Sequence, residues 1–139
     1  MTLVISLQDV ALENLADCGG KAAYLGEALR LGCPVPDGIV LSTEVYRRFM
    51  RHRGLHGEIA SIFATMQPTA MSHFLAAEWA VQEAFKVRRI PNEVLDAIRE
   101  AWRAMGGGPI VVRSSATNEG SARQSFVGQH WSCLDCASE

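Results

Sequence analysis

Val112-Arg113-Ser114-Ser115-Ala116-Thr117 follows Ile110 and Val111 and opens a polar stretch that runs to Gln124. Ile110-Val111-Val112 is a run of β-branched apolar side chains and predicts a short buried strand. The small and hydroxyl-bearing residues after it predict a loop. Arg113 therefore stands where a strand gives way to a loop, the kind of position at which α/β proteins place ligands. Its planar fork can hold a phosphate bidentately, and Ser114, Ser115 and Thr117 add donors. A strand-end arginine serves equally well in a structural ion pair, and the local sequence leaves both uses open.

Upstream, Gly106-Gly107-Gly108-Pro109 ends a long helical region. Val94, Leu95, Ile98, Trp102 and Met105 share a helical face, and Pro91 suits the first turn of that helix. Phe74, Ala77, Val81, Ala84 and Phe85 predict a helix before it, and Ile59, Ile62, Phe63 and Met66 another that stops ahead of Pro68. Val45, Tyr46, Phe49 and Met50 line a further helix, with Gly54 and Gly57 bracketing its end. Ser42 and Thr43 are candidate caps for it. Pro36-Asp37-Gly38 reads as a turn into the short strand Ile39-Val40-Leu41. Nearer the start, Ala22, Leu25, Ala28 and Leu29 follow Gly19-Gly20-Lys21 at helical spacing, with Gly32 and Pro34 as stop signals. Val4, Ile5 and Leu7 predict an opening strand, whereas Asp9 to Asp17 has no clear period. Downstream of the loop, Ser125 to Leu134 predicts a returning strand. The order predicts an α+β (mixed) chain with several helices packed on a small sheet.

The chain has 139 residues, enough for one domain or a part of one. Its net charge of −2 provides no global field for nucleic acid or an anionic membrane. The local cluster Arg47, Arg48, Arg51, His52 and Arg53 could track phosphates from a helix but reads first as a solvated helix face. No signal peptide is evident, and no run of about 18 apolar residues marks a membrane span. Cys18, Cys33, Cys133 and Cys136 are too sparse for a disulfide framework, so reduced thiols and a cytoplasmic location are expected.

Two further motifs bear on chemistry. In Gly19-Gly20-Lys21 a glycine turn opens a helix, where backbone amides and the helix dipole favour an anion and a lysine can reach phosphate oxygens. It is not a P-loop, because Ala22 stands where Ser or Thr is needed. An ordinary glycine turn with a surface lysine fits those three residues too. Gly120 to Gln129 has glycines near both ends and Phe126 as its only large apolar side chain, and reads either as a lid over phosphates or as a surface loop.

Taken in order, Gly19-Gly20-Lys21-Ala22, Leu25-Gly26, Val35-Pro36-Asp37-Gly38 with Thr43 and Tyr46, Val112 to Thr117 and Ser125-Phe126-Val127-Gly128-Gln129 resemble the nucleotide-binding domain of phosphoenolpyruvate synthase, pyruvate phosphate dikinase and rifampicin phosphotransferase. The resemblance runs from about Gly19 to Leu134, with 54–86 matching only in helical character. It implies an ATP-grasp type fold, with ATP between two subdomains of which residues 1–139 are the first, incomplete at the carboxyl end. It implies that Lys21 and Arg113 contact ATP phosphates and that Gly128 belongs to a lid loop. Ser132 takes the place of a nucleotide-contacting threonine, and Gly19, Gly20, Ser114 and Thr117 are further phosphate-binding candidates. Such enzymes pass a phosphoryl or pyrophosphoryl group from ATP to a histidine on a separate domain and then to pyruvate or another small acceptor. Mg²⁺ shares the phosphate charge there, with its ligands in the second half of the ATP domain. The implied partners are that second half and a phosphohistidine domain, in the same or another chain.

None of His52, His56, His73 or His130 sits in a phosphohistidine-like motif, so no catalytic nucleophile is named and the chain alone is expected to be inactive. The sequence departs from the family in having Glu119-Gly120 where two acidic residues are usual and Asp135 in place of an asparagine. Two other readings stand beside this one. One is a standalone interaction or regulatory half-domain without phosphotransfer. The other is a zinc or redox module built on Cys133-Leu134-Asp135-Cys136 with Cys18 and Cys33.

Overall fold

A computed structural model of the chain describes residues 2–117 and 132–136. The described chain forms two compact units, Met1–Val45 with Asp96–Glu139, and Tyr46–Leu95.

In the first unit, strand β1 (Val4–Ser6) pairs antiparallel with β2 (Ile39–Leu41), with Val4 opposite Leu41 and Ser6 opposite Ile39. The opening strand is shorter than its apolar residues predict. At Leu7 the backbone leaves the ladder, donating its N–H to Gly38 O at 2.9 Å, and turns into a 3₁₀ segment, Leu7–Asp9, that buries the leucine. A second 3₁₀ turn, Leu12–Asn14, and the short helix α1 (Leu15–Cys18) follow. Three short elements in succession explain why this stretch shows no period. Asn14 Oδ1 accepts the Ala11 N–H at 2.9 Å and steadies the second turn.

Helix α2 (Gly20–Arg30) begins at the predicted glycines and ends in a Schellman motif. Gly32 adopts φ 78°, its N–H reaches Leu29 O, and the Cys33 N–H reaches Ala28 O, both at 3.0 Å. The buried face of α2 is made of small residues: Gly20, Ala22, Ala23 and Gly26. A Cβ on Gly26 would overlap the Val10 carbonyl, so glycine there permits the helix to lie directly on the 7–10 turn. Leu7, Val10, Cys18, Ala22 and Val40 form the core of this unit, with Ile5, Leu25, Leu29 and Val35 packed against it. The hydroxyl of Ser42 donates to Thr2 O at 2.8 Å, which ties the chain start to the entrance of α3 (Thr43–Arg51).

The second unit contains the body of α3, a 3₁₀ turn (His52–Gly54), α4 (Leu55–Thr65), α5 (Met71–Lys86) and the start of α6 (Asn92–Ala104). Gly54 ends the α3 segment as expected, but Gly57 lies inside α4 and ends nothing. Leu55, Ala77, Ala84 and Val94 are buried, and Phe49 stacks against Phe85 at a centroid separation of 5.7 Å. Arg48 pairs with Glu93 at 2.9 Å on an exposed face, in keeping with a solvated basic cluster. Arg88 pairs with Glu58.

Back in the first unit, β3 (Ile110–Arg113) pairs antiparallel with β4 (Ser132–Cys136). The strand is where the sequence puts it, but it is not buried: Val111 and Val112 are 55% and 51% exposed. Among the described residues it belongs to a two-stranded ribbon, which covers less of a strand than the inside of a larger sheet does. The mixed α and β reading is correct, with the β structure divided into two small antiparallel sheets.

Candidate functional site

The start of α2 and the segment after β3 meet, although 93 residues separate them. The Gly20 N–H donates to Ala116 O at 2.9 Å. The Ala22 N–H donates to Ser115 Oγ at 3.1 Å, and Lys21 Nζ donates to Ser114 O at 2.6 Å. Three successive residues of the glycine-lysine turn thus grip three successive residues of the 112–117 motif.

The contact is possible because residue 19 has no side chain. Gly19 adopts φ 80° and ψ 163°, a conformation open essentially to glycine alone, and a Cβ there would overlap the Ser115 backbone and hydroxyl. Gly19 occupies the N-cap position of α2 and can offer no capping oxygen. Ser115 supplies it from across the unit. The amides of Gly20 and Ala22, which a glycine loop is expected to turn toward an anion, are engaged here by the protein itself.

Lys21 is half-buried and Arg113 is exposed. Ser114 lies directly between Arg113 and Ser115 in the chain, and its carbonyl holds the Lys21 ammonium, so the two cations flank one residue. The Ser114 hydroxyl is buried and has no hydrogen-bond partner among the described residues. Such an oxygen is the exception in folded proteins and calls for an explanation. Thr117 follows in a turn and is exposed. Ser132 stands opposite Arg113 in the β3–β4 register. Gly128 lies outside the described residues, as do the whole of the expected lid, Gly120 to Gln129, and the first part of the expected return strand.

The sequence therefore points to most of the participants but not to how they join. Ser115 as a remote helix cap and Ala116 as a backbone acceptor carry no local signal, because their partners are set by tertiary contact. The four-cysteine metal arrangement is not assembled: among the described residues no three His, Cys, Asp or Glu side chains gather. Cys18 is buried in the core, and burial pushes its thiol pKa up, with Asp17 adding to the shift. A groove of about 820 Å³ runs past Thr2, Val4, Asp37, Glu100 and Ala104 and includes none of the residues above. The site is defined by convergence of cations, hydroxyls and carbonyls and not by that groove. No helix among the described residues is long and apolar enough to cross a membrane.

Comparison with known proteins gives a consistent set of relatives. Residues 15–139 match the family described as pyruvate phosphate dikinase, AMP/ATP-binding domain. The chain is 33% identical, over 99% of its length, to a phosphoenolpyruvate synthase of Aeropyrum pernix. It is 33% identical over 91% of its length to a rifampicin phosphotransferase of a Streptomyces species. A third relative, a probable phosphoenolpyruvate synthase of Methanocaldococcus jannaschii, is 28% identical over 93% of the chain. The chain spans only 18%, 15% and 11% of the length of these three proteins.

Proposed function

Because this chain belongs to the pyruvate phosphate dikinase AMP/ATP-binding domain family, we propose that it holds the phosphates of ATP as the first part of a nucleotide cleft. The observation that carries this reading is the convergence of Lys21 on the Arg113–Ser115 segment through the Ser114 carbonyl. A lysine, an arginine and a row of hydroxyls suit a polyphosphate, since an ammonium acts as a point charge and a guanidinium as a two-pronged donor. The Ser114 hydroxyl, without a partner among the described residues, fits the same use, because a phosphate oxygen would satisfy it.

In this reading Lys21 and Arg113 bind phosphate directly, with Ser114 and Thr117 as supporting donors. Gly19 serves by letting the two segments meet and Gly20 by joining them through its N–H, and Gly128 and Ser132 are assigned to the lid and the covering strand. ATP supplies the transferable phosphoryl group. The chain's own residues neutralise and orient the phosphates, which is most of what protein groups do in phosphoryl transfer. A magnesium ion accompanying ATP would, as the family resemblance implies, take its carboxylate ligands from the second half of the ATP domain. A histidine on another domain would receive the group and pass it on. The relatives are named phosphoenolpyruvate synthase and rifampicin phosphotransferase, and in this reading the acceptor is chosen by regions other than residues 1–139.

Titration calorimetry with MgATP on the chain, on Lys21→Ala and on Arg113→Ala tests the proposal. Weak binding is expected for the wild type, because the first part of a cleft makes only some of the nucleotide contacts and ordering entropy opposes association. Each substitution is expected to weaken it by about tenfold or more, roughly 1.4 kcal/mol. Equal heats in all three proteins, with unchanged circular dichroism, would remove both residues from the phosphate site.

A further inference from the structure

Cys133 and Cys136 are three residues apart in β4, and in an unbroken strand their side chains would leave opposite faces. The β3–β4 register breaks that alternation. Ile110 stands opposite Cys136 and Val112 opposite Cys133, so two steps along β3 correspond to three along β4. One extra residue lies between the cysteines, and a bulge of this kind re-aims side chains. Here it brings the sulfurs together, with the Cys136 thiol donating to Cys133 Sγ at 2.8 Å. That separation exceeds a disulfide bond, about 2.05 Å, by less than about 1 Å. Cys133 is exposed and Cys136 half-buried, so small reagents can reach the pair.

We propose that Cys133 and Cys136 are a redox-active dithiol that closes reversibly to an intramolecular disulfide by exchange with a low-molecular-weight disulfide of the glutathione type. The more exposed Cys133 gives up its proton to water and attacks one sulfur of the small disulfide. The first thiol of that disulfide leaves as a thiolate and is protonated. Cys136, deprotonated in turn, attacks Cys133 Sγ in the mixed disulfide and expels the second small thiol. Two protein thiols are oxidised and one small disulfide is reduced to two thiols. Bridging four residues removes little freedom from the unfolded chain, so the bond is expected to open again readily. It would fix the bulge immediately beside the Arg113–Ser132 pair.

The experiment uses the full chain carrying Cys33→Ser, which removes the other exposed thiol. Cys18, buried and with its pKa raised, is expected to stay reduced. The protein is equilibrated in buffers of stepped oxidised-to-reduced glutathione ratio, quenched in acid, alkylated and mapped by mass spectrometry. The expected result is loss of the mass of two hydrogens, localised to a Cys133–Cys136 link and fully reversed by dithiothreitol. Adding Cys133→Ser or Cys136→Ser should abolish the link and leave a glutathione adduct on the remaining cysteine. Two alkylated thiols, or a persistent glutathione adduct in the protein that retains both cysteines, at a large excess of oxidised glutathione would overturn the proposal. Neither outcome bears on ATP binding, which is measured in reducing buffer.

Discussion

Ser115 Oγ accepts the Ala22 N–H at 3.1 Å and so caps helix α2 from a segment 93 residues away. The bond performs the task of an N-cap serine at a helix whose own N-cap residue is Gly19. Ser115→Ala is expected to lower stability by about 0.5–2 kcal/mol, the usual cost of losing a cap. In scanning calorimetry this corresponds to a drop in Tm of roughly 2–8 °C for a domain of this size. An unchanged Tm would mean that the hydroxyl does not bear on the helix start.

Gly19 and Gly57 should respond to alanine in opposite directions. At Gly19 the new Cβ meets both a glycine-only backbone conformation and the Ser115 backbone. Strain of about 1–3 kcal/mol and overlap of about 1–3 kcal/mol add there, which is enough to separate the two segments. Gly57 lies within α4 with open space around it, so Gly57→Ala should stabilise by about 0.5–1 kcal/mol through helix propensity. Urea denaturation of both variants measures the contrast. Equal effects would show that close approach at Gly19 is not what requires glycine.

Much of this architecture is legible in the sequence because it rests on local rules. Helix α2 starts at its glycines and stops at Gly32, which takes the left-handed conformation its Schellman motif needs. The α5 and α6 repeats read directly as helices. What escapes the sequence is set by distant partners. Nothing in residues 112–117 announces that their carbonyls and one hydroxyl will grip the turn at Gly20–Ala22. The apolar run Ile110–Val112 predicts burial, yet its exposure depends on how many strands flank it, which no local period encodes. The bulge opposite Ile110 and Val112 is similarly invisible, and it alone brings Cys133 and Cys136 to one face.

Cys18 gives a pH dependence with a definite sign. Burial, followed by the neighbouring Asp17 carboxylate, raises its thiol pKa above the ordinary 9.0. The folded state then keeps its proton where the unfolded state loses it, so the contribution to stability is complete below about 9 and declines as pH rises through the folded value. The slope from one such group reaches at most about 1.4 kcal/mol per pH unit. Urea denaturation between neutral and alkaline pH should show a steeper loss for the wild type than for Cys18→Ala. Parallel curves would assign the loss to other groups.

Ser114 separates the phosphate-binding reading from a purely structural one. Its hydroxyl is buried and without a hydrogen-bond partner among the described residues, which leave the desolvation cost of that oxygen without an offset. Ser114→Ala removes that atom and leaves intact the backbone carbonyl that holds Lys21. Stability without nucleotide should therefore stay level or rise by up to about 1 kcal/mol. If the hydroxyl is kept for a phosphate oxygen, MgATP affinity should fall in the same variant by about three- to tenfold, the worth of one hydrogen bond. A variant that gains stability and loses affinity links the unsatisfied oxygen to the ligand. One that loses stability and keeps its affinity would make Ser114 part of the scaffold, leaving the phosphates to Lys21 and Arg113.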